Sequence, residues 1–353
     1  MFLKILEPKY STSFILSKFC LEKYSNFHNF LMSLEETIQN CPKIKLEDFD
    51  LGNRIATSSF GYIYEATERE TGKSVFIKIL INNNPMNEEL KKYFIREINT
   101  SHINIPGIVK TIGYRFPLSP EEAQKSESKY KNDYIVVTEF MENGCFAPIN
   151  QSYLNSNGNL NDKINPTIRS KIVFGAAATM SRLHKMKIIH RDLKLENIWL
   201  DEKLEPHIGD FCLARFIEND VHLTTNVGTP ICMAPELFNE ENYGFPVDVY
   251  AFGILLYRLF TTEIVFEDLK PIRTAFHLKS KIEKGLRFKK PNHVPEHYWE
   301  LIQKCWKQEP SERPKFEEIV EILKDDKFAL EEFGMKADIN GLHEYQDRMD
   351  INE

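Results

Sequence analysis

No two of the six cysteines (Cys20, Cys41, Cys145, Cys212, Cys232, Cys305) stand at C-x-x-C spacing. That excludes a C-x-x-C redox or zinc motif and leaves reduced thiols, the usual state in the cytosol. An excess of basic residues is missing too: 45 Lys and Arg stand against 52 Asp and Glu, so the net charge of −7 offers nucleic acid no electrostatic footprint. A membrane-length apolar run is also missing. The longest, Val249 to Phe260, contains Arg258 and falls short of the ~20 residues a bilayer requires, so it reads as a buried core helix. The opening Met1 to Glu7 is too short and too soon interrupted for a secretory signal, and the apolar stretch Phe14 to Leu21 carries Lys18. There is no lipidation pattern, internal repeat or domain-scale linker. We expect a cytoplasmic protein with no membrane insertion and no nucleic-acid partner. Its 42% hydrophobic and 27% charged content is that of an ordinary globular chain.

The pattern along the chain changes twice. Residues 1–48 form an extension in which Phe27, Phe30, Leu31, Leu34 and Ile38 recur at helical spacing, predicting an amphipathic helix over about 26–40. From Phe49 onward, β-branched and aromatic runs predict strands over Ile55–Tyr64, Ser74–Leu80, Ile108–Tyr114 and Asp133–Phe140. Thr71-Gly72 marks a hairpin turn, Glu88–Asn99 reads as a helix, and charged, proline-punctuated Pro117–Asn132 reads as an exposed loop. After Gly144 the chain turns helical: an asparagine-rich loop over Asn150–Asn165 precedes helices near Pro166–His184, Val247–Phe260, Ala275–Lys284, Pro295–Trp306 and Lys315–Lys324. Residues 325–353 are acidic and polar and read as a partly mobile tail.

The densest signal is His190-Arg191-Asp192-Leu193-Lys194-Leu195-Glu196-Asn197, followed by Asp210-Phe211 and Ala234-Pro235-Glu236. In pattern, order and spacing it resembles the catalytic loop and following motifs of eukaryotic protein kinases. Trp306 and Arg313-Pro314 near the end most resemble the tyrosine-kinase-like group. The resemblance implies a bilobal α+β fold over about residues 49–324, with a small β-rich N-lobe and a larger helical C-lobe. It also implies transfer of the γ-phosphate of ATP, with Mg2+, to hydroxyl groups of protein substrates. Lys194, two residues after Asp192, and Gly228-Thr229-Pro230 favour serine or threonine as acceptor.

Phosphoryl transfer needs phosphates held in line, their charge neutralised, and a group to take the hydroxyl proton. By resemblance, Asp192 accepts that proton and Lys194 steadies the transferred group. Asn197 and Asp210 hold magnesium, which prefers oxygen ligands. Lys78 pairs with the α- and β-phosphates, and Glu97 pairs with Lys78. Ile55, Ser58, Gly61, Ile63, Thr138, Glu139, Met141 and Trp199 join Lys78 around the nucleotide, Thr138 as gatekeeper and Glu139 and Met141 at the hinge. Glu236 with Arg313 fits a buried ion pair, and Asp248 fits the aspartate that holds the catalytic-loop backbone. Arg191 commonly meets an activation-segment phosphate in such kinases; Thr224 and Thr225 are the natural acceptors.

Several positions depart from the pattern. The glycine-rich loop reads Ala56-Thr57-Ser58-Ser59-Phe60-Gly61, keeping only its last glycine, so a stiffer loop and weaker ATP binding are expected. Cys212 replaces the glycine after Asp210-Phe211. Phe76 stands where alanine usually roofs the adenine, and Trp199 where leucine usually floors it. If both rings point inward they fill adenine's space; if the lobes part slightly, they sandwich it. Ser101, one turn after Glu97, replaces an expected apolar packing residue. A pseudokinase that serves as scaffold or allosteric binding module is the competing function. Oligomeric state is not legible in the sequence.

Overall fold

The runs of β-branched and aromatic residues after Phe49 pair as successive hairpins. The computed structural model describes residues 41–351 apart from 59, 84–87, 102, 159–163, 218–228, 239–242 and 263–274. The helix expected over 26–40, together with Thr224, Thr225 and Gly228, lies outside the described residues.

Strands β1 (Phe49–Ser58), β2 (Gly61–Glu68) and β3 (Ser74–Leu80) lead into helix α1 (Glu88–Ser101). Strand β4 (Thr111–Arg115), helix α2 (Pro120–Lys125) and strand β5 (Tyr134–Glu139) complete the N-lobe. The sheet order is β1-β2-β3-β5-β4, every pair antiparallel. Gly72 takes the left-handed φ of 69° that the hairpin turn requires. The single strand expected over Ile55–Tyr64 is two, because the chain turns between Ser58 and Gly61. There the Ser58 hydroxyl accepts from the Phe60 N–H at 3.3 Å. Within the segment expected as a plain loop, Ser119 caps α2 reciprocally with Glu122 and Pro120 opens the helix.

The C-lobe begins with β6 (Gly144–Cys145), α3 (Phe146–Asn155), α4 (Pro166–Lys185), β7 (Ile188–Ile189), β8 (Ile198–Leu200), β9 (Pro206–Ile208) and β10 (Arg215–Phe216). Helices α5 (Pro246–Phe260), α6 (Ala275–Glu283), α7 (Glu296–Cys305) and α8 (Phe316–Leu323) follow. Helix α3 enters the expected asparagine-rich loop, because Phe146, Asn150 and Tyr153 bury one face at helical spacing.

The C-terminal segment corrects the expectation of a mobile tail. A short hairpin, β11 (Glu331–Glu332) with β12 (Met335–Lys336), leads into helix α9 (Ile339–Ile351). Leu342, Tyr345 and Met349 are buried at i, i+3 and i+7, a stripe hidden among acidic neighbours. A Cβ built on Gly175 would meet the Tyr345 hydroxyl at 2.2 Å, so the small residues of α4 leave the slot this ring fills. Buried Arg169 of α4 reaches Glu332 at 2.8 Å, fixing the hairpin to the same helix.

Candidate active site

The catalytic loop hangs from Asp248 at the start of α5. Its two carboxylate oxygens accept the backbone N–H groups of His190 and Arg191, each at 2.8 Å, and His184 Nε2 lies 2.9 Å from one of them. Burial alone would raise this carboxyl, but hydrogen bonds from His184 and His190 hold its pKa below the usual aspartate value. Arg191 and Asp210 both sit at left-handed φ, 67° and 64°, a conformation that non-glycine residues hold only where the surroundings enforce it. Arg191 donates from Nε to the Leu213 carbonyl at 2.6 Å and from its guanidinium to the Tyr243 hydroxyl at 2.6 Å.

Asp192 is 6% exposed and surrounded by donors. Lys194 Nζ lies 2.6 Å from its Oδ2, and Asn197 Nδ2 donates to the same oxygen at 3.2 Å and to the Asp192 carbonyl at 2.8 Å. The Thr229 N–H and hydroxyl reach Oδ1 at 3.1 and 2.9 Å, and Lys194 Nζ donates to the Thr229 hydroxyl at 2.7 Å. In the sequence Thr229 points only to the acceptor class; its contact with Asp192 is brought about by the fold.

Strand β3 brings Lys78 in from the other lobe. Its Nζ lies 2.7 Å from Asp210 Oδ1, 3.4 Å from Glu97 Oε1 and 3.3 Å from Cys212 Sγ. Burial works against the ammonium, yet Asp210, Cys212 and Glu97 together hold its pKa well above the ordinary lysine value. The closer carboxyl, Asp210, is held low by Lys78 against the opposing effect of burial; burial pushes Glu97 up. The donor atoms of Glu97, Asp210 and Cys212 lie within 4.8 Å of one another, but Lys78 Nζ already stands among them as their cation. Ser101 replaces apolar packing with polar bonds: its hydroxyl binds the Glu97 carbonyl and the Thr111 hydroxyl, tying the end of α1 to β4.

Asn197 and Asp210 face the same cleft, and Gly209 N–H donates to the Asn197 carbonyl at 2.9 Å, joining their backbones. Asn197 spends its amide N–H groups on Asp192, which leaves Oδ1 without a donor among the described residues. That oxygen and the second Asp210 carboxylate oxygen are hard donors of the kind magnesium takes, so the residues present fit the ion.

The interlobe cleft has a volume of about 610 Å³. Ile55, Ser58, Ile63, Lys78, Thr138 and Trp199 line it with Lys194, Asn197 and Asp210. Gly61, Glu139 and Met141 do not face its open part, for separate reasons. A Cβ on Gly61 would stand 1.8 Å from the Ile79 carbonyl, so the surviving glycine answers to the close β2–β3 backbone approach. Glu139 turns its carboxylate to the Lys110 N–H at 2.9 Å. Met141 is buried against Phe76, Val109 and Trp199. Phe76 and Trp199 both point inward and touch, ring centroids 5.2 Å apart.

Farther from the reacting groups, Arg313 meets Glu236 through two hydrogen bonds of 2.5 and 2.9 Å, both side chains buried. The expected buried pair is therefore formed.

A β-rich lobe meets a helical lobe at a cleft where Lys78 joins Glu97 and Asp210, and Lys194 pairs with Asp192. The sequence pattern of the protein kinase domain matches residues 49–323, most of the chain, so the chain belongs to the protein kinase family. It is 31% identical to RGS domain-containing serine/threonine-protein kinase A of Dictyostelium discoideum over 82% of this chain and 23% of that one. It is 30% identical to serine/threonine-protein kinase STY17 of Arabidopsis thaliana over 80% of this chain and 45% of that one. Serine/threonine/tyrosine-protein kinase HT1 of the same plant is 28% identical over 79% and 66%. The chain thus spans less than half the length of the first two relatives. Among the described residues no helix is long and apolar enough to cross a membrane.

Proposed function

We propose that this chain is a protein serine/threonine kinase of the cytoplasm, acting in signalling, that uses ATP and magnesium on protein substrates. One observation carries the reading: Asp192 stands within hydrogen-bond distance of Lys194, Asn197 and Thr229, while Lys78, Glu97 and Asp210 join across the same cleft. The names of the relatives support the same acceptor class.

In the reaction, a serine or threonine hydroxyl attacks the γ-phosphorus of ATP. The new oxygen–phosphorus bond forms as the bond to the β–γ bridging oxygen breaks, and ADP leaves. Asp192 orients the hydroxyl and takes its proton. Lys194 meets the negative charge of the transferred group, and Lys78, held by Glu97, meets the α- and β-phosphates. Asn197 and Asp210 would hold magnesium, which supplies neutralisation of phosphate charge when bound. Retention of this whole set supports catalysis over a scaffold role. Lys194 with Thr229 beside Asp192 supports serine or threonine over tyrosine.

The test is phosphate transfer from ATP to a generic basic protein, wild type beside Asp192→Asn. Transfer that is lost in the variant is the expected result. Equal transfer by both proteins, or none by the wild type, removes the proposal.

A further inference from the structure

The two halves of the cleft differ in kind. The phosphate half is polar and open, with Lys78, Lys194, Asn197 and Asp210 along it. The base half is mainly apolar, with Ile55, Ile63, Phe76, Val109 and Trp199 along it. Phe76 of β3 and Trp199 of β8 come from opposite lobes, and their rings meet at 5.2 Å between centroids, tilted by 52°. Phe140 packs on Phe76 at 4.8 Å. Val109 and Met141 are buried in the same cluster, in which Phe76 is 6% and Trp199 9% exposed.

Carbon atoms in contact stand about 3.5–4.0 Å apart, so a flat base between two rings needs them about 7–8 Å apart. The observed contact leaves no such gap. We propose that Phe76 and Trp199 form a gate across the base site, so that nucleotide binding must part the two rings and Phe76 sets nucleotide affinity. The inference rests on the kinase reading and names what controls entry to that same site. Because the gate joins β3 to β8, parting it separates the lobes locally. The phosphates, drawn to the open polar half, supply the binding energy for that movement. A nucleoside without phosphates lacks that source. Once parted, the rings offer the base two stacking faces, which recovers part of the cost.

Calorimetric titration of wild type, Phe76→Ala and Trp199→Leu with Mg·ATP, and separately with adenosine, tests this, with melting curves as the control for folding. Each variant restores the smaller residue that usually stands at that position in kinases. Both are expected to bind ATP about tenfold to a hundredfold more tightly than wild type, and to acquire measurable adenosine binding that wild type lacks. ATP binding that is unchanged or weaker in both folded variants overturns the gate; weaker binding would show that the rings serve as a stacking platform. The outcome separates from that of the kinase reading. Phosphate transfer by wild type with no affinity gain in the variants removes only the gate. Tighter ATP binding in the variants without transfer by any of the three proteins removes only the kinase reading.

Discussion

Thr229 touches Asp192 twice, its N–H reaching Oδ1 at 3.1 Å and its hydroxyl reaching the same oxygen at 2.9 Å. The segment that begins at Thr229 is thereby fixed to the base of the proposed reaction, with Lys194 bonded to both partners.

Thr229 is a positioning residue, and its hydroxyl should affect turnover more than affinity. Hydrogen bonds to charged groups contribute about 1.5–3 kcal/mol. Thr229→Val is expected to lower kcat about tenfold to a hundredfold with little change in KM for ATP, and Thr229→Ser to restore most of it. A steady-state kinetic comparison of the three proteins checks this; equal kcat in Thr229→Val would contradict it.

Asp248 couples pH to the catalytic loop. Burial opposes its ionisation, but bonds from His184 and His190 hold its folded pKa below the unfolded value of about 3.9. Its contribution to stability is therefore complete above that unfolded value and lost as pH falls through the lower folded one. Denaturant unfolding of wild type and Asp248→Asn at about pH 6 and about pH 3 gives the readout. The stability gap between them is expected to narrow at the lower pH, and a gap that stays constant would rule the coupling out.

The Arg313–Glu236 pair is buried at both ends, with side chains 0% and 5% exposed. Removing one partner leaves the other charge without its counterion, at a typical cost of about 3–5 kcal/mol. Arg313→Ala should lower the denaturation midpoint strongly, and any folded remainder should keep its KM for ATP. A midpoint within error of wild type would show that the pair contributes nothing.

The C-terminal helix should be part of the domain's stability. Tyr345 is 2% exposed and fills the slot over Gly175, and truncating a large buried ring typically costs about 3–5 kcal/mol. Tyr345→Ala, and deletion of residues 325–353, should both lower the melting temperature. A deletion that melts like the full chain would place the helix outside the cooperative unit.

The site was legible where chemistry demands fixed residue types at fixed spacing. Asp192, Lys194 and Asn197 share one short motif, and Lys78, Glu97 and Asp210 keep the order that lets them converge. Residues set by distant partners were harder to read. Leu342, Tyr345 and Met349 have helical spacing, but nothing nearby shows that α4 offers Gly175 for the ring to pack on, 170 positions earlier. The identities of Phe76 and Trp199 stood out in the sequence. That the rings touch is a matter of how closely the two lobes settle, which is a tertiary property. Helix α2 is hard to read for another reason: the charge and proline of its segment mask the capping pattern of Ser119 and Glu122.

The most direct measurement is mass-spectrometric mapping of a generic protein substrate after incubation with Mg·ATP and either the wild type or an equally stable Asp192→Asn. The account predicts new phosphate on serine or threonine with the wild type and none with the variant. An unmodified substrate after wild-type incubation, or phosphate confined to tyrosine, would contradict it.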